Sequence, residues 1–229
     1  MSFIGTDGSS PRGGTVDRLV EGLRECILTS RYAPGQRLIE ADLTRDFNVS
    51  RGPLREAFRR LTAEGLLQIV PNRGALVRRL SYVETIELFQ IRSALECLAV
   101  RLAAGAIGQG DNRQRFDKAI AAIWSETPRL DHPGYHRENR EFHLSILDVC
   151  GNSQLVETSR QLQLPLLMLQ LSGEMTPRMY RESVLEHREI AAAISRGDAD
   201  GAECAMRRHL ERATRIAEGM PKSIFRKAD

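Results

Sequence analysis

The sequence predicts a mainly α-helical chain in two parts: a small N-terminal unit of three helices and a β-hairpin, then an all-helical bundle of about six helices. Three observations predict it. Apolar residues recur at helical intervals through most of the chain. Strand-like runs occur only in "LLQIV" (66–70) and "ALVRRL" (75–80). Charge is also unevenly divided: residues 1–80 hold 13 Arg or Lys against 9 Asp or Glu, and the remainder holds 20 against 21. A basic first part beside a slightly acidic second part suggests a polyanionic partner for the first alone.

Residues 1–14, "MSFIGTDGSSPRGG", have no apolar periodicity and are read as a disordered tail. From Thr15 the residues Val16, Leu19, Val20, Leu23 and Ile27 form one helical stripe, which "YAPGQRL" ends because Pro34 and Gly35 cannot continue it. A short helix over about Ile39 to Phe47 follows, packing through Leu43 and Phe47. Then "NVSR" turns the chain, with Ser50 placed to cap the next helix and Pro53 tolerated in its first turn. On that third helix Leu54, Ala57, Phe58 and Leu61 span an arc of about 100°, and Arg51, Arg55 and Arg59 an adjoining arc of about 80°. Gly65 breaks it, and "PNRG" turns between the two strands.

Helix, short helix, tight turn, basic helix and β-hairpin is the order of a winged helix-turn-helix. A basic helix alone is usually only a solvated face. Here the capped start, the preceding turn and the hairpin tip at Asn72, Arg73 and Gly74 fit one docking geometry, with the helix in the major groove of DNA and the wing on the backbone or minor groove. Arg51 and Arg55 lie near the helix N-terminus, where they can reach base edges, and the terminal N–H groups favour phosphate.

Beyond Arg79 and a linker around Leu80 and Ser81, "LSYVETIELFQIRSALECLAVRLAAGA" reads as a long helix capped by Ser81. Further helices are expected over about 111–124, 132–150, 153–171, 178–195 and 198–218, separated by Pro128, Gly151, Gly173, Pro177 and Gly197. His132 and His136 stand among charged and turn residues and read as surface. His143, His187 and His209 lie one per helix, each flanked by apolar residues that would aim it inward, and Asn139 shares a face with His143. Spacing alone favours three hydrogen-bonded core histidines, while imidazoles from three facing helices plus one oxygen ligand would also make a divalent metal site.

Composition sets outer limits. With 41% hydrophobic and 28% charged residues, the 229-residue chain has the balance of a soluble globular protein. Cys26, Cys97, Cys150 and Cys204 form no CxxC pair, so neither a disulfide framework nor a thiolate zinc site is indicated. No segment reaches eighteen apolar residues and the N-terminus lacks a secretory pattern, so the expected location is the cytoplasm. Neither HExxH nor a nucleophile elbow is present, which argues against an enzyme.

"APGQRLIEADLTRDFNVSRGPLREAFRRLTAEGLLQIVPNRGALV" closely resembles the N-terminal domain of GntR-type bacterial transcription regulators. By position, the resemblance implies DNA contacts from Ser50, Arg51 and Arg55 in the recognition helix and Asn72, Arg73 and Gly74 in the wing. Gly52 stands where the family more often has a hydroxyl residue, and Ala41 where the fatty-acid-responsive member carries a DNA-contacting arginine. Downstream, "IRSALECLAVRLAA", "ENREFHLSILDVCGN", "EHREIAAAISRGDADGA" and "MRRHL" resemble the FCD domain, the ligand-binding half of the FadR branch. In much of that group an Asp or Asn and three His hold a metal, which implies Asn139, His143, His187 and His209 here. A bundle of six helices points to the VanR-like group.

The domains expected are therefore a tail (1–14), a winged helix-turn-helix (15–79), an FCD-type effector domain (82–219) and a second tail (220–229). Asn139 brings no charge, so zinc, nickel or a similar ion would keep its charge of about +2 and welcome a small carboxylate effector. Arg92 is the candidate for the far end of that acid, although an intrahelical ion pair with Glu96 fits it equally. A single recognition helix reads few base pairs, so a homodimer on an inverted-repeat operator is expected. The function implied is a sequence-specific regulator, a repressor as in most relatives. The alternatives are a metallo-hydrolase and a ligand-independent structural DNA binder.

Overall fold

A computed structural model describes residues 14–29, 31–70, 74–125, 132–161 and 164–227. It divides into two compact units, 1–78 and 79–229.

In the first unit, helix α1 (Thr15–Leu28) buries Leu19, Val20, Leu23 and Ile27, the stripe read from the sequence, and packs on α3. Helix α2 (Glu40–Asp46) buries Leu43, and Phe47 after it is half-buried. Between α2 and α3, Asn48 adopts a left-handed φ of 50°, a conformation that asparagine tolerates better than most residues. Helix α3 (Arg51–Ala63) buries Leu54, Ala57, Phe58 and Leu61 and leaves Arg51, Arg55 and Arg59 exposed. Ser50 occupies its N-cap position, but the hydroxyl makes no capping hydrogen bond.

The hairpin consists of β2 (Leu67–Val70) and β3 (Gly74–Val77), shorter at both outer ends than the apolar runs suggested. A two-residue strand that sequence reading did not anticipate, β1 (Arg37–Leu38), pairs antiparallel with β3, giving the order β1-β3-β2. Leu38 lies opposite Ala75, and both are buried. Gly74 has φ of 85°, and a Cβ there would sit 3.0 Å from the Leu38 carbonyl oxygen, so glycine is needed for this strand pairing itself.

The second unit is built on α4 (Tyr82–Ala106), whose start is capped by a reciprocal pair: Ser81 Oγ accepts from Glu84 N–H and the Glu84 carboxylate accepts from Ser81 N–H. One face of α4 buries Phe89, Val100, Ala103 and Ala104 together with the polar Thr85, Arg92 and Glu96. Helices α5 (Asn112–Ala119), α6 (His132–Val149), α7 (Ser153–Gln161), α8 (Leu164–Ser172), α9 (Pro177–Ser195) and α10 (Ala199–Glu218) complete the bundle. α10 packs on both α4 and α9, and α4 also on α6 and α9. The core runs from Phe116 and Phe142 through Ile190, Ile194 and Met206.

Two expected helices are each divided. The helix expected over 111–124 is α5 followed by a 3-10 turn, Ala121–Trp124, and Arg188 donates to the carbonyls of Ile123 and Ser125 at the end of that turn. The segment expected as one helix over 153–171 is α7 and α8, with Pro165 second in α8, where a missing N–H is least costly. The described residues of this unit thus hold seven α-helices where six were expected, and the helix count no longer favours the VanR-like group.

The segment after Gly219, read as a tail, instead folds back through residue 227. Met220 and Phe225 are buried, Arg226 N–H donates to the Leu80 carbonyl at 2.9 Å, and Phe225 meets the Tyr82 ring edge-on at 5.5 Å. Gln170 of α8 pins the same Leu80 peptide from the other side, accepting from its N–H at 2.7 Å and donating to its carbonyl at 3.0 Å. Apolar anchors five residues apart with no helical continuation gave no periodic signal.

Candidate functional site

Two places in the chain gather chemistry. In the N-terminal unit, α2, α3 and the strands enclose a groove of about 550 Å³ lined by Arg37, Arg51, Arg55 and Arg59, with Ile39, Ile69 and Gly74 among its other walls. Four guanidinium groups face one carboxylate there, that of Glu40. Glu40 Oε1 and Oε2 lie 3.2 and 3.3 Å from Arg55 Nε, leaving both Nη groups of Arg55 uncommitted to that pair. Arg59 pairs at 3.0 Å with Glu56 of its own helix. Arg60 is different in kind: it points back to Asp17 of α1 at 2.7 Å and lies outside the groove.

Of the residues expected to touch DNA, Arg51, Arg55 and Gly74 line this groove, and Ser50 precedes α3 directly. Asn72 and Arg73 lie outside the described residues. Arg37 and Glu40 were not singled out from the sequence, since Arg37 reaches the groove only through the unexpected strand β1.

The second place is the buried polar cluster of the helical unit. His143 on α6, His187 on α9 and His209 on α10 each offer a ring nitrogen, and these lie within 4.8 Å of one another. His187 and His209 are buried, and the His143 side chain is 12% exposed. Phe142 stacks on the His187 ring at 4.2 Å, fixing its plane. His187 Nε2 is buried without a hydrogen-bond partner, an uncommon condition for a core polar atom. Asn139 is buried one turn before His143, and its Oδ1 accepts from Tyr135 Oη at 3.3 Å; Tyr135 also bonds Ser183 at 2.7 Å. His136, read as surface, is half-buried with its ring against Tyr135 and Tyr180.

Two carboxylates hold the histidines from behind. Glu186 Oε2 accepts from His209 Nδ1 at 2.7 Å, so that ring's lone pair is on Nε2. Arg212 donates to both oxygens of the same carboxylate. Glu96 bridges two partners: Oε1 accepts from Arg92 Nε at 2.6 Å, and Oε2 lies 2.6 Å from His143 Nδ1, off the ideal hydrogen-bond direction. Arg92 Nη2 completes the triangle at 3.1 Å from His143 Nε2. Since arginine can only donate, Nε2 is the acceptor and the His143 proton sits on Nδ1.

The electrostatics follow from this arrangement. Burial alone would raise the Glu96 carboxyl, but the charge of Arg92 and the His143 ring beside it hold it well below the usual carboxylate range. Burial pulls His209 down to about 4, against the bond from Glu186 and aided by the nearby His143 and Arg92. Burial, then the neighbouring His209 and His143, keeps His187 well below its ordinary value. Both rings are therefore neutral at physiological pH, the state a metal ligand requires.

This donor set fits a divalent metal. Tetrahedral nitrogen ligands about 2.0–2.1 Å from an ion lie roughly 3.4 Å apart, so the three nitrogens need approach by little more than an ångström. Carboxylates on Nδ1 fix the tautomer that presents Nε2, the usual outer support of a histidine ligand. Neither Glu96 nor Glu186 could be assigned this role from the sequence, because each acts on a histidine of another helix.

No helix among the described residues is long and apolar enough to cross a membrane, and all four cysteines are free. Comparison with known proteins agrees with both units. Residues 15–77 match the family described as bacterial regulatory proteins, gntR family, and residues 87–212 match the FCD domain. The HTH-type transcriptional repressor RspR of Escherichia coli K12 is 30% identical over 195 residues, covering 82% of each chain. The Nta operon transcriptional regulator of Aminobacter aminovorans is 27% identical over 206 residues, covering 85% of this chain and 92% of its own. A crystal structure of a GntR transcriptional regulator from Rhodococcus sp. RHA1 superposes with a TM-score of 0.77 at 24% identity, covering 90% of this chain and 99% of its own, a likeness of fold. With both units matched and a relative aligned over most of its length, the chain belongs to the GntR family of bacterial transcriptional regulators, in the branch that carries an FCD domain.

Proposed function

We propose that this regulator is a cytoplasmic repressor that binds an inverted-repeat operator as a homodimer and is controlled by a small carboxylate sensed at a metal-holding site in its helical unit. The observation that carries the DNA reading is the groove with four arginines on its walls and one carboxylate. Arg51 and Arg55 at the start of α3 are its base-reading candidates. Ser50, with its hydroxyl not spent on a cap, and the wing residues Asn72, Arg73 and Gly74 are its backbone candidates, Gly74 through its peptide. The name of the E. coli relative supports repression.

Homodimerisation is supported by a row on α4. Val83, Ile91 and Leu98 are 59%, 46% and 44% exposed and fall within an arc of about 80°. Large apolar side chains exposed on one face of a helix suit twofold pairing, with the exposed Glu87 between the first two of them.

For the metal, the carrying observation is the buried, unpartnered Nε2 of His187 beside two histidines whose Nδ1 atoms face carboxylates. Asn139, His143, His187 and His209 would hold the ion. A bound divalent ion supplies open coordination positions to an oxygen anion. Glu96 is offset by Arg92 and Glu186 by Arg212, so the site keeps the ion's positive charge for the effector. Arg92, also buried, is the residue for the acid's other end.

The test has two arms. Genomic DNA recovered with the purified protein should contain an inverted repeat bound at least a thousandfold more tightly than scrambled sequence; no preference refutes the DNA reading. Purified protein should take up one Zn²⁺ or Ni²⁺ per chain, and His187→Ala should abolish it; equal uptake by this variant refutes the metal reading.

A further inference from the structure

Arg92 stands where it does most to the metal site. Its guanidinium is anchored through Nε to Glu96, and its Nη2 faces the one lone pair that His143 could give to an ion. It is 3% exposed, so the contact is made away from water, and its third nitrogen rests 3.4 Å from the Met168 sulfur, a weak acceptor. A histidine nitrogen cannot accept from arginine and ligate a metal at the same time. Nor is a guanidinium indifferent to a divalent ion a few ångströms away. Among the described residues the other two histidines face no such competitor: His187 Nε2 is unpartnered, and His209 meets Glu186 through Nδ1.

We infer that Arg92 is a built-in cationic stand-in at this site: it occupies His143 Nε2 in the metal-free protein, and metal loading expels its Nη2 while Glu96 keeps hold of its Nε. The expelled guanidinium then carries free Nη donors beside the metal, which is what a carboxylate needs for a second contact. Metal binding and effector binding are thereby coupled through one side chain, the metal converting Arg92 from a histidine's partner into an acid's partner. This inference rests on the metal reading above and specifies how that site is regulated.

Its signature is a gain where a loss would be expected. In Arg92→Met the competing bond is gone, so Zn²⁺ affinity measured by competition with a chromophoric chelator should rise by roughly tenfold to a hundredfold, the fold-change equivalent to one hydrogen bond to a charged group. Arg92→Lys keeps a cation for Glu96 but gives up the planar fork that holds Glu96 and His143 at once, so this variant should also bind Zn²⁺ more tightly than the parent. A third measurement needs no variant. In the ¹⁵N spectrum of the parent, Arg92 should show slowly exchanging Nη protons that are lost on adding one equivalent of Zn²⁺, while its Nε proton persists.

If the parent protein binds no Zn²⁺, the metal reading falls and this inference with it. If the parent binds Zn²⁺ but both variants bind it no more tightly, or the Nη protons are unmoved by metal, the exchange is wrong and the metal site stands. Should Arg92→Met fail to fold, Arg92→Lys and the parent spectrum decide.

Discussion

Replacing Glu96 by glutamine removes a charge and exchanges one of its two acceptor oxygens for an amide NH2, and the structure sets the size of the effect. Glu96 is 7% exposed and lies 2.6 Å from a guanidinium that is 3% exposed. Breaking such a pair by neutralising one partner costs about 3–5 kcal/mol, because the remaining charge stays buried without compensation. Glutamine still offers an oxygen to Arg92, which places the expectation near the lower end, about 3 kcal/mol. For a unit of this size that corresponds to a fall of roughly 6–12 °C in melting temperature. The assay is urea unfolding followed by the fluorescence of Trp124, the sole tryptophan of the chain, which stands in the 3-10 turn of the helical unit and so reports that unit. A double variant, Arg92→Met with Glu96→Leu, replaces both charges by apolar groups of similar bulk and should recover most of the loss. A cost under about 1 kcal/mol for Glu96→Gln, or a double variant less stable than the single one, would refute the view that this pair is held by mutual compensation.

Other outcomes follow from the same geometry. Glu96→Gln should also weaken Zn²⁺ binding by about tenfold to a hundredfold, opposite in sign to Arg92→Met, since it loosens the support behind His143; chelator competition measures both. Arg55→Ala should cost about 1–3 kcal/mol of specific operator binding, with little effect on scrambled DNA if it reads a base, as fluorescence anisotropy would show. Arg60→Ala, whose partner is Asp17 on α1, should leave that specificity intact. Gly74→Ala should destabilise the N-terminal unit by more than about 1 kcal/mol in urea unfolding, because φ is 85° and the added methyl meets the Leu38 carbonyl at 3.0 Å. Truncation after Gly219 should lower the melting temperature of the helical unit, since it removes the buried Phe225 and the bond from Arg226 to Leu80.

By itself the sequence determined what is local. A stripe of Leu19, Val20, Leu23 and Ile27, an arginine arc beside Leu54, Phe58 and Leu61, and a Ser81 cap with Glu84 three residues on are all written within one or two helical turns, where side-chain direction follows from backbone geometry. That was enough for the two-unit architecture and for the three inward-facing histidines. Tertiary structure alone decided which of these groups meet. Strand β1 is two residues long and exists because β3 offers it partners. Arg60, on the far side of α3 from Arg51, finds its partner in Asp17, 43 residues earlier. Glu96 and Glu186 steady histidines on other helices, and residues 220–227 are held by Leu80 and Tyr82, far away in the chain. Contacts of this kind depend on how helices are set against each other, and no period in a single segment encodes that; hence the arginine ranged against His143 was visible beforehand only as a candidate for the acid's far end or as half of an ion pair with its neighbour one turn on.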